Sequence, residues 1–342
     1  MTNIILETIV KESGKKAVVL DGGFATQLER IGKDLSQDHL WSARVLADDP
    51  TAVQQVHSAF YEAGADIATT ASYQASFDGF ERAGFGKADA EALLRRSVQL
   101  ADASREAFWS AHQAWLETLL GHDLEGWLTQ RQRPLVAFSA GPYGAALADG
   151  SEYDGSYAER VTEEQLMDFH RQRLQAIAGQ PGVDLIAFET VPCLKELRAI
   201  SRLLRTESFG VPAWVSCSAR SGTAISHGED LIGECLPVMC EAESVVAVGV
   251  NCLPPHLVAP IMKGMATAVQ QTGLPRKSLL VYPNSGEEWD AAARDWKGES
   301  VLEVENFGRN ARIWADAGAT VIGGCCRTTP EHIRSVASHL AI

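Results

Sequence analysis

Several things are missing from this chain, and each absence narrows what it can be. No stretch approaches the roughly 18 consecutive apolar residues that a bilayer crossing needs, so no membrane partner is expected. The opening residues, MTNIILETIVKESGKKAVVL, lack the basic segment and unbroken apolar segment of an export signal, and the expected location is cytoplasmic. Low-complexity tracts are absent, and 46% apolar with 22% charged residues is the composition of a folded globular chain. Positive charge is in deficit: 30 Lys and Arg stand against 44 Asp and Glu, a formal charge of −14. That balance argues against nucleic acid and anionic membrane surfaces and favours a neutral or cationic small molecule as partner. A disulfide framework is not expected either. The seven cysteines, Cys193, Cys217, Cys235, Cys240, Cys252, Cys325 and Cys326, are an odd number in a chain without an export signal.

What is present is a repeating alternation. Short apolar runs rich in β-branched residues recur at 17–23 (AVVLDGG), 67–73 (IATTASY), 135–142 (LVAFSAGP), 185–190 (LIAFET), 213–219 (AWVSCSA), 247–252 (AVGVNC), 279–286 (LLVYPNSG) and 321–326 (VIGGCC). Their near-continuous apolar character predicts strands buried on both faces, as in a parallel sheet covered by helices. The segments between them carry helix punctuation. Asp49 before Pro50 reads as an N-cap, Gly64 as a stop, and Thr162 with Gln165 as a capping box. Eight strand-then-helix units predict an α/β fold, a single (β/α)8 barrel over residues 1–342, with a doubly wound open sheet as the weaker alternative. The segment at about 110–134 is longer than a simple connection needs and reads as an insertion before the third strand.

A barrel gathers the C-terminal ends of its strands on one rim, where catalytic groups belong. The polar residues at those ends are Asp21, Tyr73, Ser139, Glu189, Ser218, Asn251 with Cys252, Asn284 with Ser285, and Cys325 with Cys326. Adjacent cysteines at 325 and 326 are consistent with a metal site, a redox pair or buried thiols. Cys252, two strands away, supplies a third sulfur, and three thiolates with one open position is the arrangement of a catalytic zinc. Gly323 and Gly324 are expected to provide unusual backbone angles for the pair. The helix starting near Thr329-Pro330 and the cation of Arg327 are expected to lower the thiol pKa. Cys193, Cys217, Cys235 and Cys240 are expected to be inert core thiols.

The motif GGCCRTTPEHIR, taken with GVNC, LDGGFATQLE and VYPNSGE, resembles the homocysteine S-methyltransferase family over about Val18 to Ile333. Within it, TTASYQAS, GPYGAALADGSEYDGSY and YPNSGEEWD are similar to the branch that uses S-methylmethionine or S-adenosylmethionine on homocysteine or selenocysteine. The resemblance implies Zn2+ held by Cys252, Cys325 and Cys326, and a methyl group passed from a sulfonium donor to homocysteine to give methionine. It also implies that Asp21 and Glu189 contact the homocysteine amino group; their alternatives are a turn former and a helix N-terminal charge. Backbone amides near Gly22, Gly23 and Phe24 are candidates for the substrate carboxylate. Tyr73, Gln74, Asn251, Asn284 and Ser285 are candidates for donor or substrate contacts, and Trp289 and Trp296 for packing on a sulfonium. A betaine-dependent enzyme is the nearest rival, disfavoured because the chain runs from Cys326 only to Ile342. A selenocysteine methyltransferase and a zinc-storage or thiol-redox protein with a vicinal disulfide are the others. A monomer is expected.

Overall fold

The alternation of β-branched runs and amphipathic segments folds, in a computed structural model, into a closed (β/α)8 barrel; the structure describes residues 4–35, 40–118, 131–286, 288–290, 295–297 and 303–342. Seven strands come first: β1 (Val18–Val19), β2 (Ile67–Thr69), β3 (Leu135–Ala140), β4 (Leu185–Val191), β5 (Ala213–Ser218), β6 (Val245–Asn251) and β7 (Ser278–Tyr282). A small antiparallel pair, β8 (Glu288–Asp290) and β9 (Asp295–Lys297), precedes the last barrel strand, β10 (Val321–Ile322). The parallel order is β1-β10-β7-β6-β5-β4-β3-β2. Closure is made where Leu20 bridges Ile67, with Asp21 N donating to Ile67 O at 3.0 Å and Asp66 N to Val19 O at 2.7 Å. The open sheet is thereby excluded.

Helix boundaries follow the local chemistry. Asp49 caps Pro50–Ala63 by accepting from Ala52 N, and Gly64 ends that helix at φ 111°. Thr162 and Gln165 form the capping box of Glu163–Ile177. Residues 110–118 of the expected insertion continue the helix Lys87–Thr118, and 119–130 lie outside the described residues. No helix among the described residues is long and apolar enough to cross a membrane.

Inward-pointing Val18, Leu20, Ala137, Ala187, Trp214, Leu280 and Val321 fill the barrel as one cluster, joined by Leu6 and Ile9 of the N-terminal helix Ile4–Glu12. The interior leaves no room at Gly249 on β6, where a Cβ would fall 1.8 Å from the Leu280 carbonyl oxygen of β7. At the closure, fully buried Lys15 donates to Asp66 at 2.6 Å, while the other Asp66 oxygen accepts from Val19 N at 2.9 Å. Removing one partner of such a pair leaves an uncompensated buried charge. Lys15→Met is expected to lower unfolding free energy by about 3 kcal/mol, read from denaturant melts; a loss under about 1 kcal/mol would show that the pair does not hold the closure.

Candidate metal and substrate site

The site begins with three sulfurs. Cys252 follows β6, and Cys325 and Cys326 follow β10, so the strand ends on either side of β7 supply all three. Cys252 Sγ and Cys325 Sγ each lie 3.9 Å from Cys326 Sγ, and all three sulfurs fall within 4.8 Å of one another. Tetrahedral zinc with bonds of about 2.3 Å places its sulfurs about 3.8 Å apart, so the three side chains fit such an ion. Without a cation the cluster is unbalanced. Cys326 is held well below the usual thiol range by hydrogen bonds from Cys252 and Cys325, whereas Cys252 is pushed well up because it donates those bonds. Cys326 is thus favoured to ionise over its two neighbours, and a divalent cation would favour ionisation of all three.

The geometry is held by close approach and by strain. Neither Gly323 nor Gly324 has a positive φ, contrary to the expectation from sequence. They are glycines because a Cβ on Gly323 would sit 2.5 Å from Leu20 Cβ, and one on Gly324 would sit 2.2 Å from Thr328 Oγ1. The left-handed conformation is taken instead by Thr190 (φ 60°), Cys252 (φ 54°) and Arg327 (φ 64°), each at a cost of about 1–3 kcal/mol. Arg327 is exposed beside Glu29, and the low value of Cys326 comes foremost from its sulfur neighbours, not from that cation. The helix Pro330–Leu340 does begin where expected, capped by Thr329.

Asp21 and Glu189 both line the cavity beside the sulfurs. Asp21 accepts from Thr69 N at 2.7 Å and from Thr69 Oγ1 at 3.0 Å, which makes it more than a turn former. Glu189 sits where the β4–β5 register is irregular, and accepts from Ser139 Oγ. Burial pushes Asp21 well above the ordinary carboxylate range and Glu189 to about 7. No Lys, Arg or His lines the cavity among the described residues. Two buried carboxylates and a thiolate cluster thus share a space with no built-in cation, which suits a cationic ligand.

The remaining candidates divide. Tyr73, Gly22 and Gly23 line the cavity, although the Gly23 N–H is already given to Thr328 Oγ1 and O, both at 3.1 Å, and is not free for a carboxylate. Gln74 is not in the lining. Asn251 lies beneath it, accepting from Thr190 N at 2.8 Å and donating to Thr190 Oγ1 at 2.7 Å; it locks Thr190 in its left-handed conformation. The backbone of the 283–285 segment supports the cysteine pair: Ser285 N donates to Cys326 O at 3.1 Å and Pro283 O accepts from Cys325 N at 2.8 Å, while Asn284 N donates to Leu253 O at 3.0 Å. Trp289 and Trp296 pair in register across β8 and β9, and their side chains lie outside the described residues. Ser139, a strand end picked out from sequence, lines the cavity, and so do residues not singled out, notably Thr69, Tyr153 and Tyr282. Tyr282 was legible as an inward position of its strand; Tyr153, in a loop, carried no such signal. The other four cysteines are buried as expected, with Cys193 and Cys235 pushed to about 12 and Cys240 to about 11 by desolvation.

A sequence model of homocysteine S-methyltransferase matches residues 18–340. The chain belongs to the homocysteine S-methyltransferase family. It is 44% identical over 336 residues to homocysteine S-methyltransferase 1 of Zea mays, covering 98% of both chains. It is 40% identical over 335 residues to a selenocysteine Se-methyltransferase of Brassica oleracea var. italica, covering 98% of this chain and 92% of that one. Among solved structures it resembles the metallated form of the homocysteine methyltransferase MmuM from Escherichia coli, with a TM-score of 0.78 at 35% identity, covering 97% of this chain and 99% of that one. The protein is an enzyme of this family, and its three-cysteine cluster can hold a metal.

Because burial raises Glu189 from 4.5 to about 7, its ionisation costs the fold stability, with no cost below pH 4.5 and the full cost above pH 7. Glu189→Gln is expected to stabilise the substrate-free protein at about pH 8 by up to about 3 kcal/mol and to leave it unchanged near pH 4. Calorimetry at the two pH values checks this; a variant that melts lower at the higher pH would contradict it.

Proposed function

We propose that this enzyme transfers a methyl group from a sulfonium donor, S-methylmethionine, to the sulfur of L-homocysteine, with Zn2+ held by Cys252, Cys325 and Cys326. The observation that carries the reading is a cavity with no Lys, Arg or His in its lining among the described residues, bounded by three sulfurs within 4.8 Å of one another and by two buried carboxyl groups. A bound zinc ion supplies a Lewis-acidic fourth position that lets a thiol ionise at neutral pH, where a free thiol is only a few per cent thiolate.

The chain's own residues do the rest. Asp21 and Glu189 take the α-ammonium of homocysteine, and the arriving charge draws both carboxylates back to their ionised forms. Thr69 and Ser139 fix the two carboxylates by hydrogen bonds and so fix where the amino acid sits. With the amino end anchored and the sulfur at the cysteine cluster, the substrate is held at two points. Tyr73, Tyr153 and Tyr282 give the cavity an aromatic wall that excludes water. The donor carries its own activation as a positive charge, and the leaving group is a neutral thioether, so no general acid is needed. Alignment of the two sulfurs and the methyl carbon is the main task left to the protein. The seven cysteines, all unpaired, fit a reducing compartment such as the cytoplasm.

The reading is tested in two ways. Cys252→Ser is expected to lose stoichiometric zinc, measured by elemental analysis, and methionine formation together; a variant that keeps both would refute the metal assignment. A donor panel with homocysteine is expected to give fastest methionine formation with S-methylmethionine, slower with S-adenosylmethionine and none with betaine. Turnover with betaine alone would overturn the donor.

A further inference from the structure

Glu152 has no role in the chemistry described so far. It lies in the loop between β3 and the helix Glu163–Ile177, is 7% exposed, and its Oε2 is buried with no hydrogen-bond partner. The charges acting on it are themselves negative, Asp149 and Asp154, and burial with their help pushes its carboxyl to about 7. Glu152 in turn bears electrostatically on Tyr73 and on its neighbour Tyr153, two phenols of the cavity wall, and Tyr153 also feels Cys252 and Cys326. The loop is built to keep it there. Gly150 and Gly155 flank it at φ 85° and 69°, Asp149 accepts from Ser151 N at 3.0 Å, and a Cβ on Gly144 would fall 2.5 Å from Glu152 N.

A carboxylate buried without a cation is costly, and such a cost persists where a ligand completes the pair. The homocysteine ammonium is already served by Asp21 and Glu189. The other reactant is the one that brings a permanent positive charge. We propose that Glu152 is a positioning residue that selects the cationic methyl donor, its charge acting through the Tyr73–Tyr153 wall on the sulfonium group that rests against those rings. The proposal rests on the sulfonium-donor reading above. During transfer a lone pair of the homocysteine thiolate forms the new bond to the donor methyl carbon, the electron pair of the breaking bond stays with the donor sulfur, and the donor becomes a neutral thioether. Glu152 therefore favours the donor over the product left behind. It stabilises the charged ground state more than a transition state in which that charge is fading, so its effect belongs to donor binding and not to turnover.

The test is steady-state kinetics of the full-length zinc-loaded enzyme with S-methylmethionine and homocysteine. Glu152→Gln is expected to raise the donor KM about tenfold, with the homocysteine KM within about twofold of wild type and kcat undiminished, as the loss of one partly buried charge predicts. Calorimetry of S-methylmethionine without homocysteine should show the same loss of affinity. An unchanged donor KM, or a parallel fall in kcat and rise in both KM values, would overturn the proposal, the latter by showing that Glu152 only braces the loop. Should Glu152→Gln fail to fold, Glu152→Asp keeps the charge and decides the matter: a donor KM within about threefold of wild type is expected, and a tenfold rise would overturn it. Wild-type enzyme inactive with every sulfonium donor would sink the donor reading and this proposal together, whereas an active wild type with an indifferent variant sinks only this one.

Discussion

Three sulfur atoms held within 4.8 Å of one another at a barrel rim are an electrostatic demand, and much of the surrounding structure is arranged to sustain it. Hydrogen bonds from its sulfur neighbours hold Cys326 well below the usual thiol range, and among the described residues no side-chain cation lines the cavity. A pocket lined by carboxyl and thiol groups is suited to positively charged ligands. The chain's formal charge of −14 has a local counterpart here, at the place where charge matters for binding.

Holding such groups together requires support that the groups cannot supply themselves. The segment after β7 hydrogen-bonds the backbone of both Cys325 and Cys326, and Asn251 holds Thr190 in a conformation a β-branched residue otherwise avoids. Left-handed backbone at Thr190, Cys252 and Arg327 is the local cost, and it falls at or just past the C-terminal ends of the strands. The wall absorbs it. Trp214 Nε1 donates to Tyr282 Oη at 3.2 Å, and Ser216 Oγ lies 2.7 Å from the same oxygen, so the floor of the site is a hydrogen-bonded layer within a packed interior. Burial of the Asp21, Glu189 and Glu152 carboxyls disfavours their charged forms.

Eight apolar runs, their polar ends and the helix caps between them were legible because strand burial and capping are local properties of sequence. The barrel followed from their number and order. Cys252 could be joined to Cys325 and Cys326 because parallel strands of a barrel deliver their C-terminal ends to one rim, so chain distance stops mattering. The four core thiols were legible from composition alone.

What the chain order could not settle is which polar strand ends face the cavity and which hold it up. Asn251 stands beside Cys252 in sequence, yet its side chain bonds Thr190, because a strand turns successive side chains to opposite sides. Gly323 and Gly324 were read as sources of backbone freedom, whereas contacts with Leu20 and Thr328, some 300 residues away along the chain, are what forbid a side chain there. Tyr153 and Glu152 belong to a loop without periodicity, and only its folding over the rim brings one to the cavity wall and the other behind it. Sequence by itself determined the architecture, the three sulfurs that meet at the rim and the two acidic residues at strand ends. Tertiary structure alone decided orientation, burial and the unpaired charges, since each depends on neighbours brought together by barrel closure.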